Sequence, residues 1–143
     1  MGESSIAVAV DGSDASIRAV QSGNRLSRAT GRRLKLLHVH PDPGKNAPGL
    51  EFVGRKRLRE AGQASAREIF DQARSALGAA DNAPEEVLLW GDPAEEIISY
   101  MTANPDFHLV MGRRGLSRLK SLLLGSVTDK VIRHSPGLVT VVD

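Results

Sequence analysis

The sequence predicts an α/β fold in which helices cover both faces of a parallel sheet. Three observations carry this. Five short runs rich in apolar residues stand at 6–10, 34–40, 87–90, 107–111 and 138–142. Such runs, without a clean polar alternation, belong to strands buried on both faces. Segments with apolar residues at helical spacing lie between them, in the order βαβαβαβαβ. That alternation means right-handed crossovers onto one sheet. Aromatic residues are only 3% of the chain, so the core is Val, Leu, Ile and Ala, which suits a parallel sheet.

A length of 143 residues fits one domain, 1–143, with a sizeable core. Hydrophobic residues are 41% and charged residues 25%, ordinary for a globular chain. There is no cysteine, which excludes a disulfide, a zinc–thiolate site and a cysteine nucleophile. The N-terminus lacks the basic and long apolar regions of a signal peptide, and no apolar run approaches membrane-spanning length. The expectation is a cytoplasmic protein with no direct membrane insertion. A net charge of +2 is too mild to indicate nucleic acid as a partner.

The first run ends at Asp11-Gly12-Ser13-Asp14. Ser13 is placed to cap a helix that runs to about Thr30 and closes at Gly31. The second strand, 34–40, stops at Pro41 and Pro43. Residues 41–50 are a loop by composition, long enough to cover a site. A helix over 52–77 follows, with Leu58, Gly62, Ala66, Ile69, Ala73 and Leu77 as its apolar stripe. The cluster Arg55-Lys56-Arg57-Leu58-Arg59 near its start reads as a solvated face. After the third strand, Asp92-Pro93-Ala94-Glu95 combines an N-cap, a proline at the first helical position and a glutamate spaced for a capping box. Asn104-Pro105 ends that helix, and Ser135-Pro136-Gly137 precedes the last strand.

The chemistry concentrates after the fourth strand. Gly112 and Gly115 break the chain there, and Gly125-Ser126 opens a helix. Strand, glycine-rich loop and helix start form an anion site. The first N–H groups of a helix lack intrahelical partners and carry partial positive charge. Glycine lets that backbone approach a phosphate. Ser126 adds a hydroxyl donor. Arg113 and Arg114, and more weakly Arg118 and Lys120, offer cationic forks or points for phosphate oxygens. Asp11 is placed to accept from a ribose or to help hold a metal ion.

Other phosphate loops fail. Gly49-x4-Gly54 is followed by Arg55-Lys56 and no strand precedes it, so it is no P-loop. The dinucleotide fingerprint needs three glycines after the first strand, and only Gly12 is there. Hydrolytic machinery is equally scarce. None of His38, His40, His108 and His134 has helical metal-ligand spacing, and there is no nucleophile elbow.

These residues resemble the universal stress protein family, specifically its ATP-binding branch. The family's motif, Gly-x2-Gly-x9-Gly-Ser/Thr, stands complete as Gly112-x2-Gly115-x9-Gly125-Ser126. The resemblance also rests on Val8-Ala9-Val10-Asp11-Gly12-Ser13, on Leu36-Leu37-His38-Val39, and on Gly91-Asp92-Pro93-Ala94-Glu95-Glu96-Ile97. The stretch Leu124-Gly-Ser-Val-Thr-Asp-Lys-Val131 is similar to its last helix. It implies a Rossmann-like, adenine nucleotide α-hydrolase-like sheet of order 3-2-1-4-5. It implies ATP, with Mg2+ or Mn2+, as the ligand. Val39 would meet adenine through its backbone, with Ala9 and Asp11 near the adenosine and Gly112 by the ribose. Gly115, Gly125, Ser126 and Val127 would hold the phosphates. It also implies a homodimer through the last strand, Leu138 to Val142. The step into that strand, Ser135-Pro136-Gly137-Leu138, departs from the family's proline–valine.

Two readings of function follow. One is an ATP-binding regulatory protein acting through its dimer or a regulated protein partner. The other is an enzyme of the same fold, a slow ATPase or an adenylyl-transferring one. No catalytic residue is evident for the second.

Overall fold

The computed structural model describes residues 4–42, 51–78, 83–115 and 124–143. β1 (Ser5–Ala9), α1 (Asp14–Thr30), β2 (Arg33–His40), α2 (Phe52–Ser75) and β3 (Glu85–Trp90) follow one another, then α3 (Pro93–Ala103), β4 (His108–Gly112), α4 (Ser126–His134) and β5 (Leu138–Val142). The strands form one five-stranded sheet in the order β3-β2-β1-β4-β5, and every neighbouring pair is parallel. The expected fold class and strand order are both present.

Side chains alternate across a strand, and β1 shows what that does here. Ile6 and Val8 face α1 and α2, where they pack with Ala19, Val20, Ala66, Phe70 and Ala73. Ala7 faces the other way, into a layer with Leu37, Leu109, Met111, Ile97, Met101 and Val131, under α3 and α4. Small residues let the helices sit close. A Cβ added to Gly23 of α1 would lie 2.5 Å from Val8 Cγ2, and one added to Gly62 of α2 would lie 2.7 Å from His40 Cδ2.

The caps form as their residues demand. The Ser13 side chain accepts from Ser16 N–H, and Gly31 closes α1 in the left-handed region at φ 72°. The Asp92 carboxylate accepts from Glu95 N–H at 3.0 Å, with Pro93 at the first turn of α3. Glu95's own carboxylate lies 4.0 Å from Lys130 of α4. Asp92→Ala is expected to cost about 1 kcal/mol, the usual worth of such a cap, read as a lower urea midpoint at unchanged slope.

Several expectations shift. α2 ends at Ser75, not 77; its buried residues are Gly62, Ala66, Phe70 and Ala73, and Ile69 and Leu77 pack partly buried against the same core. Leu58 is 46% exposed, and Phe52 and Val53 are exposed to a greater degree. β3 begins at Glu85, earlier than its apolar run. Ion pairs carry those two acidic residues: Lys35 lies 3.2 Å from Glu85 and Arg74 lies 2.6 Å from Glu86. Arg67 also binds Glu86 and, with Arg74, holds its carboxyl below the usual range. β1 and β4 each have bounds one residue away from the expected 6–10 and 107–111. Most of the 41–50 loop lies outside the described residues, as do Arg118 and Lys120. Among the described residues, no helix is long and apolar enough to cross a membrane.

Candidate functional site: a cleft at the ends of β1 and β4

β1 pairs with β2 on one side and with β4 on the other. The chain therefore leaves β1 in one direction across the sheet and returns in the other. In open parallel sheets that reversal leaves a crevice beyond the carboxyl ends of the strands. A cavity of about 340 Å³ occupies it, at the small end of the range for ligand sites. Ala9, Val10, Asp11, Leu37, Val39 and Met111 line it from the strand side, Pro93 and Ile97 from α3, and Gly112, Arg114, Gly115, Gly125, Val127 and Thr128 from the glycine segment.

One end presents open backbone. Peptide groups of successive strand residues point to opposite sides. The Leu37 carbonyl accepts from Val10 N–H at 2.8 Å, toward β1, and the His40 carbonyl accepts from Gly91 N–H at 2.9 Å, toward β3. Val39, two residues from Leu37, therefore turns its N–H and C=O toward β1's side, where the β1–β2 register has already ended at Ala9 and Leu37. A donor and an acceptor on one residue stand open at the cavity wall.

The other end presents a helix start. Gly125 is the N-cap of α4, and no side chain caps that turn. Its own N–H goes to the Arg113 carbonyl at 2.9 Å. The N–H groups after it are the orphan donors of a helix terminus, which favour an anion. The glycine loop packs directly on this turn: a Cβ on Gly125 would lie 3.3 Å from Arg114 Cα. Gly112 is wedged from two sides. A Cβ there would lie 2.8 Å from Ala15 Cβ, and its carbonyl accepts from the buried Thr128 hydroxyl at 2.9 Å.

Asp11 lines the cavity beside the glycine loop. Its Oδ1 accepts from Ser13 N–H at 2.9 Å and from the Ser13 hydroxyl. That fixes the carboxylate and leaves Oδ2 on the side of Gly115, where an added Cβ would lie 2.3 Å away. The Ser16 hydroxyl supports this turn, donating to the Ser13 carbonyl at 2.9 Å.

The sequence-predicted residues separate in space. Ala9, Asp11, Val39, Gly112, Arg114, Gly115, Gly125 and Val127 all line the cavity. Ser126 is exposed on the first turn of α4 and is not among the lining residues. Arg113 turns away: its guanidinium meets Asp143 at 2.8 Å, and its N–H donates to the Val142 carbonyl at 2.7 Å. It ties the glycine loop to the end of β5. Sequence reasoning did not assign Val10, Ser13, Ser16, Leu37, Pro93, Ile97, Met111 or Thr128 to the cleft. Leu37 was accessible in principle, two residues before Val39 on the same strand face.

Histidine chemistry is displaced from the cleft. His38 and His40 share β2's other face, toward α2. The His40 ring packs edge-on to Trp90 at 5.6 Å, and burial, then His38, pushes its pKa down. Arg59, from the basic cluster, lies 4.5 Å over the same Trp90 ring. Among the described residues, the titratable side chains that line the cavity are Asp11 and Arg114. Among the described residues no group of three His, Cys, Asp or Glu side chains is placed to hold a metal. Asp11 alone does not build a metal cage, so a divalent ion would depend on oxygens of the ligand for most of its shell, as Mg2+ sites with phosphates do.

Comparison with known proteins agrees with this architecture. The profile of the universal stress protein family matches residues 4–143. A universal stress protein of Thermus aquaticus is 33% identical over 135 residues, covering 92% of each chain. Among solved structures, universal stress protein UspA from Lactobacillus plantarum superposes with a TM-score of 0.82 at 25% identity, covering 100% of this chain and 99% of its own. A universal stress protein solved in complex with cAMP is 28% identical, with a TM-score of 0.65 and coverage of 100% and 98%. With its family profile matched along nearly the whole chain and its strand order in place, this protein belongs to the universal stress protein family.

Proposed function

We propose that this protein binds an adenine nucleotide, ATP in its fullest form, in the cleft between Val39 and the start of α4. The observation that carries the reading is the pairing of two unlike ends in one cavity. Val39 offers an open donor and acceptor to a base edge. The same cavity offers Gly115, Gly125 and an uncapped helix start to phosphates. Asp11, held by Ser13, suits a ribose hydroxyl. A relative of this fold at 28% identity was solved with cAMP, which is the same ligand class. Mg2+ or Mn2+ would accompany the phosphates.

The protein acts as a nucleotide-dependent regulator, through a partner or its own dimer state. Fast phosphoryl transfer needs an oriented nucleophile as well as neutralised charge. Asp11 is held by Ser13 and is assigned here to the ribose, and His40 lies on the other face of the sheet. Turnover is therefore expected below about one per minute, against a median near 10 per second for enzymes. The dimer is proposed through β5, which pairs with β4 on one edge only and carries Leu138 at 64% exposure. Apolar strand edges of this kind are normally covered or paired.

Calorimetric titration with ATP, AMP and cAMP tests the ligand. One adenine nucleotide per chain at micromolar affinity, with phosphate release by malachite green near background, is the expected result. No heat with any of the three would remove the nucleotide reading. Release of several phosphates per second would make the protein an enzyme.

A further inference from the structure

His38 sets the place where β1 and β2 part. Val10 N–H makes the last rung between them, to the Leu37 carbonyl at 2.8 Å. In a parallel ladder the next rung would run from Val39 N–H to the Val10 carbonyl. That carbonyl is instead bound by His38 Nδ1 at 2.8 Å. A carbonyl only accepts, so Nδ1 is the donor in this bond. Nε2 is buried and has no partner among the described residues. The His38 residue as a whole is only 6% exposed, beside Phe70.

A buried polar atom without a partner calls for a reason. A leucine would fill the same place, against the same aromatic neighbour, without burying an unpaired ring nitrogen. What a leucine lacks is the Nδ1–H that occupies the Val10 carbonyl.

We propose that His38 is a positioning residue for the nucleotide cleft: by binding the Val10 carbonyl it ends the β1–β2 ladder one rung early and leaves Val39 open for the base. This rests on the nucleotide reading above and deepens it. His38 does not touch the ligand, because its side chain lies on the α2 face of the sheet and the cavity lies on the face of Leu37 and Val39. It also bears on selectivity. An N–H and a C=O held open on one residue match adenine, which accepts at N1 and donates from its amino group. Guanine carries a donor and a carbonyl in the corresponding places, so the match is lost.

The test uses the full chain with His38→Leu and His38→Asn. Asparagine keeps an N–H donor near the position of Nδ1; leucine does not. Two readouts are taken: hydrogen exchange of the Val39 amide without nucleotide, by NMR, and ATP and GTP affinity by calorimetry. In His38→Leu the freed Val10 carbonyl takes Val39 N–H. Its exchange then slows at least about tenfold, and ATP affinity and the preference over GTP each fall at least about tenfold. His38→Asn is expected to stay within about threefold of wild type in both. Unchanged Val39 exchange and ATP affinity in His38→Leu would overturn the proposal. So would a His38→Asn variant as impaired as His38→Leu. If the wild type binds no nucleotide, the function reading fails, while Val39 exchange in the two variants still decides the role of His38.

Discussion

Gly115→Val is expected to abolish nucleotide binding, by at least about a hundredfold in affinity, while the protein stays folded. The first added carbon already lies 2.3 Å from Asp11 Oδ2, a distance no real contact tolerates. Asp11 cannot rotate away freely, because Oδ1 is held by the Ser13 N–H and hydroxyl. The loop must move instead, and it moves off the helix start against which it packs. The two branch carbons then stand where phosphate would approach backbone. A hundredfold is about 2.7 kcal/mol, which two or three lost backbone bonds to a charged ligand readily account for. Gly115 is itself exposed, so the sheet and its core are untouched. Calorimetry with ATP, beside circular dichroism and a melting curve, is the measurement. Wild-type affinity in this variant would place the anion elsewhere.

Leu109→Ala has the largest expected effect on stability, about 3 kcal/mol. Leu109 is at 0% exposure in β4, packed with Ala7, Ile97, Met101 and Val131. A leucine cut to alanine in such a place loses both its transfer energy and the packing of the cavity left behind, together 2–5 kcal/mol. At roughly 3 °C per kcal/mol for a chain of this size, the melting temperature falls by about 9 °C. The same cut at Leu138, 64% exposed in the single chain, separates two states of the protein. If copies pair through β5, Leu138→Ala lowers the melting temperature by several degrees and makes it depend on protein concentration. If β5 faces water, it changes almost nothing. Light scattering at micromolar concentration gives the complementary answer.

The parts of this fold that could be read from sequence are those governed by local chemistry. Ser13, Asp92-Pro93 and Gly31 state where helices begin and end, because caps are recognised by neighbours within four residues. The glycine segment was legible for the same reason: strand, break and helix start are all contiguous in the chain. What was not legible depends on residues distant in sequence. Thr128 lines the cleft because its hydroxyl reaches the Gly112 carbonyl, which no spacing announces. Leu37, Ile97 and Met111 are core residues whose last carbons happen to reach the cavity, so their pattern is indistinguishable from other core positions. Arg113 and Arg114 are adjacent in sequence, and only the fold assigns one to Asp143 and the other to the cleft. Phe70 rather than Leu58 is buried in α2 because tertiary placement, not helical spacing, decides how far a helix rests on its sheet.

The strand order has a consequence for how the protein comes into being. β1 is the middle strand, yet its second neighbour, β4, is about a hundred residues further along the chain. During synthesis β1, β2 and β3 can zip together in the order they emerge, but the far edge of β1 stays bare until β4 arrives. At 5–20 residues per second, that wait lasts on the order of ten seconds. The cleft needs Asp11 from the beginning of the chain and Thr128 from near its end, so no partial chain contains it. A nucleotide therefore cannot template the early steps of folding. It can only hold the finished article together, and its stabilising effect should appear in the unfolding rate of the complete protein rather than in the speed with which the first three strands assemble.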